Sequence, residues 1–168
     1  MLDKKIKSMR EILEIVEKAR KSGKKIVTTN GCFDILHVGH VRLLEFSKGL
    51  GDMLVVGLNS DSSIKRIKGN KRPIVNEMER ASMLASLSAV DYVVLFDEPT
   101  SIPLLEKIRP HVHVKGSDRK MHEIVERETV EQNGGRVILF NIVSGVSTTN
   151  LINRILELYD RKELSVRV

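Results

Sequence analysis

Five short apolar runs, spaced so that a helix-length segment separates most of them, constrain this chain more than any other feature. The runs are Ile26 to Thr29, Met53 to Leu58, Tyr92 to Phe96, Val112 to Val114 and Arg136 to Phe140. Each is of strand length and is bounded by turn-forming residues, such as Gly51-Asp52 before the second and Asn59-Ser60-Asp61 after it. A helix is expected from Val38 to Lys48, and another opens at the capping sequence Asn76-Glu77-Met78-Glu79, carrying Met83, Leu84 and Leu87 toward the core. Further helices are expected from Ile102 to Ile108, ahead of Pro110, and from His122 to Gln132, closed by Gly134-Gly135. A leading helix over 8–22 has Met9, Ile12, Leu13, Val16 and Ala19 at helical spacing and Gly23 as its stop, and a last helix runs from Thr148 to Tyr159. This alternation predicts an α/β fold: a single Rossmann-like, doubly wound domain with a mainly parallel five-stranded sheet and right-handed crossovers. The domain divides into the leading helix 8–22, a core over 25–159 and a charged tail over 160–168. Ligands then belong beyond the carboxyl ends of the strands.

Composition bounds the function classes. At 168 residues the chain suits one domain, which buries about two-thirds of its unfolded surface. No apolar run approaches the roughly 20 residues that cross a bilayer, so no membrane partner is expected. The opening MLDKKIKSMREI has no apolar segment followed by small residues, so a cytoplasmic location is expected. Cys32 is the single cysteine, which excludes a disulfide within the chain and a thiolate metal cluster. A net charge of +6 suits anionic partners, whether nucleic acid, a membrane surface or phosphorylated small molecules. With 4% aromatic residues and no Trp, a stacking platform for single strands is poorly supplied, and no nucleic-acid partner is expected.

Two familiar phosphate signatures, G-x-x-x-x-G-K-[ST] and a strand followed by G-x-G-x-x-G, are absent. The first strand instead runs into Thr29-Asn30-Gly31-Cys32-Phe33-Asp34-Ile35-Leu36-His37-Val38-Gly39-His40. Gly31 allows a sharp turn, and Gly39 removes a side chain where a helix begins, so phosphates can approach the backbone. His37 and His40, three apart, flank that helix start and can each donate a hydrogen bond while neutral. Ser147, Thr148 and Thr149 stand at the start of the last helix, where a cap requires only one hydroxyl. Lys65, Arg66, Lys68, Lys71 and Arg72, with Gly69 and Pro73, read as a flexible basic loop, either a solvated charge run or a lid that brings cations to a triphosphate. Asp34, Asn59 and Asp61 end the turn after the first strand and the second strand, and by residue type alone are turn formers. His111 and His113 share a strand face, but nothing is spaced to complete a metal site, and none is expected.

The stretch G-C-F-D-x-L-H-x-G-H resembles the cytidylyltransferase-like nucleotidyltransferases, whose signatures are H-x-G-H and I-S-T-T; the second stands here as Val146-Ser147-Thr148-Thr149. The wider strings TTNGCFDILHVGH, NSDSSIKRIKG, RPIVNEMERASML, VKGSD and SGVSTTN are most similar to D-glycero-beta-D-manno-heptose 1-phosphate adenylyltransferases, over about Lys25 to Leu158. The resemblance implies transfer of AMP from ATP, accompanied by Mg2+, to that sugar 1-phosphate with release of pyrophosphate. It assigns catalysis to His37, His40, Lys65, Lys68 and Arg80. Nucleotide contacts fall to Thr29, Asn30, Gly31, Cys32, Phe33, Gly39, Lys115, Gly116, Asp118, Ser147, Thr148 and Thr149, and acceptor contacts to Asp34, Asn59 and Asp61. It also implies a homodimer and an upstream sugar kinase on a separate chain. Two alternatives stay open: a CTP-dependent cytidylyltransferase acting on glycerol 3-phosphate or a similar polyol phosphate, and a non-catalytic nucleotide- or RNA-binding module. An arginine that glycerol-3-phosphate cytidylyltransferases carry shortly before the second signature is replaced here by the segment Phe140 to Gly145, which favours ATP.

Overall fold

The computed structural model describes residues 4–117, 120–141 and 145–159. Asp118 and the charged tail 160–168 lie outside the described residues.

Among the described residues six strands are present: β1 (Ile6–Lys7), β2 (Ile26–Gly31), β3 (Met53–Asn59), β4 (Tyr92–Phe96), β5 (Val112–Gly116) and β6 (Arg136–Phe140). All neighbours pair in parallel, in the order β1-β4-β3-β2-β5-β6. The five expected strands are all there, and β1 adds a sixth. With two residues in a lysine-rich leader, β1 has no period to read; it exists because Lys5, Ile6 and Lys7 align along the edge of β4.

The helices are α1 (Met9–Lys21), α2 (Val38–Lys48), α3 (Asp61–Lys68), α4 (Glu77–Ser86), α5 (Ile102–Ile108), α6 (Arg127–Gln132) and α7 (Thr148–Leu158). Ser8 caps α1 in a reciprocal capping box with Glu11, and Asn76 caps α4 by accepting from Glu79 N at 3.0 Å. Two expectations are corrected. Lys65, Arg66 and Lys68 lie on α3, not in a loop: Ser60 accepts from Ser63 N at 3.0 Å to start the helix, and Gly69, at φ +86°, stops it. The segment expected as one helix over 122–132 is split into a 3-10 turn at Met121–Glu123 and α6.

Every residue of β3 is buried, and alternate residues of the central strands serve opposite cores. Val27, Leu54, Val56, Leu58, Val93 and Val112 pack with the α2 and α4 side, where Leu44, Ala81 and Leu84 sit. Ile26, Met53, Val55, Val94 and Phe96 pack with Ile12 and Val16 of α1 and Leu104 and Ile108 of α5. Cover on both faces explains why these strands read as continuous apolar runs and not as alternating ones. The chain leaves β2 toward β3 and later crosses back to place β5 on the other side of β2. The order of winding therefore reverses at β2, which opens a crevice above its carboxyl end.

Candidate active site

The turn leaving β2 enters that crevice under strain. Phe33 adopts φ +45°, a conformation few bulky residues take, and its buried ring lies 5.0 Å from the ring of His40. Space at Gly31 is tight: a Cβ on it would come 3.1 Å from the Phe33 ring. His37 is the N-cap residue of α2 and makes no side-chain cap bond, so its ring is not spent on the helix. The rings of His37 and His40 stack with centroids 3.7 Å apart and planes 17° apart. Gly39 makes this stack fit, since a Cβ there would sit 3.0 Å from His37 Nδ1.

Nδ1 of each of these histidines is buried without a hydrogen-bond partner. Nε2 is thereby the nitrogen a ligand can reach, and with the proton there each ring presents a donor. Burial pushes His40 down to about 4, with the adjacent His37 adding to the shift, and burial also lowers His37. Both rings are neutral at pH 7, as stacked imidazoles must be, because two imidazolium charges at this distance would repel.

The second motif reaches the same place. Val146 lies 3.9 Å from the position a Gly39 Cβ would take, and Thr148 Oγ1 bonds Ile35 O at 3.5 Å. A cavity of about 460 Å³ results, walled by the two histidines, by Asn30 to Asp34 of the turn, and by Ser147, Thr148 and Thr149. Ser147 caps α7 by accepting from Asn150 N at 3.0 Å, which leaves Thr148 and Thr149 in excess of capping need. Neither α2 nor α7 carries an acidic residue in its first turn, so both helix starts keep their positive end toward an anion. Lys68 and Arg72 add cations to the wall. A larger, shallower groove of about 630 Å³ between Val38, Arg42, Glu45, Phe46 and Phe140 has a single opposite-charged couple, Arg42 and Glu45, and no facing helix start.

Other expected residues sit elsewhere. Arg80 is fully buried and uses four of its five N–H donors: Nε donates to Val75 O, Nη1 to Cys32 O and Asn59 O, and Nη2 to Asp61 Oδ1 at 2.8 Å. It ties the ends of β2 and β3 to the start of α3 and does not face the cavity, and Asp61 is occupied by the same contact. Asp34 borders the cavity, yet its carboxylate is taken by Arg72 and by the backbone N–H groups of Ile74 and Val75, which pins the segment after α3 over the crevice. Thr29 is buried and donates to Val114 O at 2.9 Å, so it braces β2 against β5. Lys65 is exposed outside the cavity, and Arg66 pairs with Asp97 at 3.0 Å. Burial raises the Cys32 thiol, so this wall residue is no thiolate. His111 Nδ1 accepts from Ile26 N, and His113 is fully buried against Thr28 Oγ1 at 2.8 Å.

A second, smaller chamber of about 290 Å³ shares Asn30 and Gly116 with the first and adds Asn59 and Lys115. Glu126 and Ser101 also line it, and neither stood out in the sequence. Ser101 starts a helix and Glu126 precedes one, so both read as ordinary helix-terminal polar residues. Arg72 is a further wall residue, with only its place in the basic run to mark it.

Among the described residues no group of three His, Cys, Asp or Glu side chains could hold a metal ion. No helix among them is long and apolar enough to cross a membrane.

Comparison with known proteins agrees with this geometry. The profile of the cytidylyltransferase-like family matches residues 28–154. The bifunctional protein HldE of Syntrophotalea carbinolica is 50% identical over 159 residues, which is 95% of this chain and 32% of that protein. The bifunctional protein HldE of Geobacter metallireducens is 52% identical over 157 residues, 94% of this chain and 32% of that protein. The chain thus spans about a third of the length of these relatives. A lipopolysaccharide core biosynthesis protein from Thermoplasma volcanium superposes with a TM-score of 0.60 at 32% identity, covering 72% of this chain and 98% of that one. A pantoate-beta-alanine ligase from Francisella tularensis shares the fold alone, with a TM-score of 0.58 at 15% identity over 92% of this chain and 80% of its own. With the profile spanning both the His37-His40 turn and the start of α7, the chain belongs to the cytidylyltransferase-like family of nucleotidyltransferases.

Proposed function

We propose that the protein transfers AMP from ATP to D-glycero-beta-D-manno-heptose 1-phosphate, releasing pyrophosphate and giving ADP-heptose. The observation that carries the transfer reading is the stacked, neutral His37–His40 pair facing the start of α7 across one cavity. The choice of sugar and of ATP rests on the strings that resemble heptose 1-phosphate adenylyltransferases and on the two HldE relatives.

In this reading an oxygen of the acceptor's phosphate attacks the α-phosphorus of ATP. The bond from that phosphorus to the bridging oxygen breaks, and pyrophosphate leaves with the electron pair. A phosphate monoester has a second pKa near 6, so the nucleophile is already ionised at pH 7 and no general base is required. What remains is positioning and charge stabilisation. His37 and His40 donate to the α-phosphate oxygens as charge grows there, and the α7 start, Lys68 and Arg72 receive the β- and γ-phosphates. Mg2+ would accompany ATP as part of the substrate and would supply charge neutralisation at its phosphates, since Asp34, a carboxylate at this cavity, is already engaged. Arg80 and Asp61 act one step back by fixing the turn that carries the histidines. The protein acts as a cytoplasmic homodimer on small molecules.

The test is pyrophosphate release from the protein mixed with Mg2+, the heptose 1-phosphate and either ATP or CTP. Release with ATP and not CTP is the expected result. Release only with CTP and glycerol 3-phosphate establishes the cytidylyltransferase alternative, and no release with any acceptor overturns the transfer reading.

A further inference from the structure

Asn30, near the end of β2, borders both chambers. The parallel register that sets Thr28 beside His113 and Thr29 beside Val114 continues to bring Lys115 of β5 next to it, on the same face of the sheet. Lys115 Nζ donates to Asn30 Oδ1 at 3.0 Å and to Glu126 Oε1 at 2.9 Å. Glu126, only 5% exposed, also accepts from the buried Ser101 Oγ at 3.0 Å and from its own backbone N–H. Ser101 is the N-cap residue of α5 and Glu126 that of α6, so a chain of contacts runs from two helix starts through Lys115 to a wall of the first cavity. An ammonium carries donors only, which leaves the Asn30 amide one orientation: its oxygen faces Lys115, and its NH2 is the arm left for the cavity.

We propose that Glu126 and Lys115 are positioning residues that lock the Asn30 amide so that Nδ2 donates to a phosphate oxygen in the first cavity. This deepens the transfer reading and rests on it. Burial by itself would raise the Glu126 carboxyl, but the Lys115 ammonium and the hydrogen bonds around it hold the group below its ordinary value, so it is ionised at neutral pH. The two charges cancel, and Lys115 lines the second chamber and not the first. What reaches the first cavity is therefore a neutral donor and not a cation. Apolar side chains of the same volume would stabilise the fold as well as a buried ion pair does, but they could not hold an amide by its oxygen. Without the pair the amide is free to turn that oxygen toward the phosphate, which repels it. Lys115, expected at the nucleotide, acts through Asn30.

The experiment is steady-state transfer, read as kcat/KM for each substrate, with the Kd for ATP measured by calorimetry. Asn30→Asp keeps an acceptor for Lys115 but turns the donor arm into a carboxylate oxygen, so kcat/KM should fall on the order of tenfold or more, as for loss of a hydrogen bond to a charged group. Unimpaired transfer in Asn30→Asp or in Asn30→Ala overturns the proposal. Glu126→Gln should lower kcat/KM about fivefold when Asn30 is present. It should lower it no further in Asn30→Ala, because a residue that acts through Asn30 then has nothing to position. Losses that multiply in the double variant overturn the proposal, since a general loosening of the fold or a separate ligand contact produces that result. A raised Kd for ATP in Asn30→Ala assigns the phosphate to ATP, and an unchanged one assigns it to the acceptor. Should Glu126→Gln fail to fold, Asn30→Asp alone decides. An unaltered protein inert with every acceptor sinks the transfer reading and this role with it, whereas an active protein with multiplying losses sinks only the positioning role.

Discussion

At the scale of single residues, the histidines and Arg80 divide the work that sequence resemblance assigns to them jointly. His40 is neutral and stacked, and its Nδ1 makes no hydrogen bond to the protein, which suits a ring reserved for the transition state. Replacing it with alanine should lower turnover about a hundredfold or more with little change in melting temperature, a loss typical of removing a transition-state donor. Near-normal turnover would take His40 out of the mechanism. Arg80 instead makes four hydrogen bonds in full burial. Arg80→Met should cost about 3–5 kcal/mol in urea unfolding, since it leaves the carbonyl oxygens of Val75, Cys32 and Asn59 without this donor as well as breaking the pair with Asp61. Weakened ATP binding in a variant of unchanged stability would return Arg80 to direct phosphate contact.

At the scale of elements, the site depends on where α2 begins. Gly39 occupies its first turn, where alanine would ordinarily be stabilising by about 0.5–1 kcal/mol relative to glycine. Here an added methyl strikes the His37 ring at Nδ1 and Cε1, 3.0 and 3.1 Å away. Gly39→Ala should therefore leave stability unchanged or improved while turnover falls on the order of tenfold or more through misplacement of one ring. A variant with full turnover would show that the His37–His40 stack is not the active geometry. α3 gives the second lesson of this scale. Its single turn of basic residues looked like a loop because Lys65, Arg66 and Lys68 carry no apolar period; Ser63 and Ile64, both buried, and the Ser60 cap make it a helix. Helix geometry then separates Lys68, which reaches the cavity, from Lys65, which does not.

At the scale of the molecule, burial of uncharged histidines makes stability depend on pH. His40 and His113 are pushed down from 6.5 to about 4 and about 3, chiefly by burial, so between those values and 6.5 the unfolded chain binds more protons than the folded one. Their contribution is complete above pH 6.5 and is lost as pH falls through the folded values. The melting temperature should accordingly drop from pH 6.5 to 4, less steeply in His113→Gln, which keeps a polar partner for Thr28; an identical slope would rule out His113 as a source. The order of β2 to β6, the helices other than α3, the parallel sheet and the His37–His40 turn were legible in the sequence because local periodicity and turn chemistry fix them within a few neighbouring residues. So was the placement of Ser147, Thr148 and Thr149 at a helix start. What only the tertiary structure decided is which polar groups remain free to act. Arg80, Asp61, Asp34 and Thr29 were all expected to touch ligands, but each is claimed by a partner 19 to 85 residues away. Availability depends on which donors and acceptors folding brings together, and no local pattern encodes that.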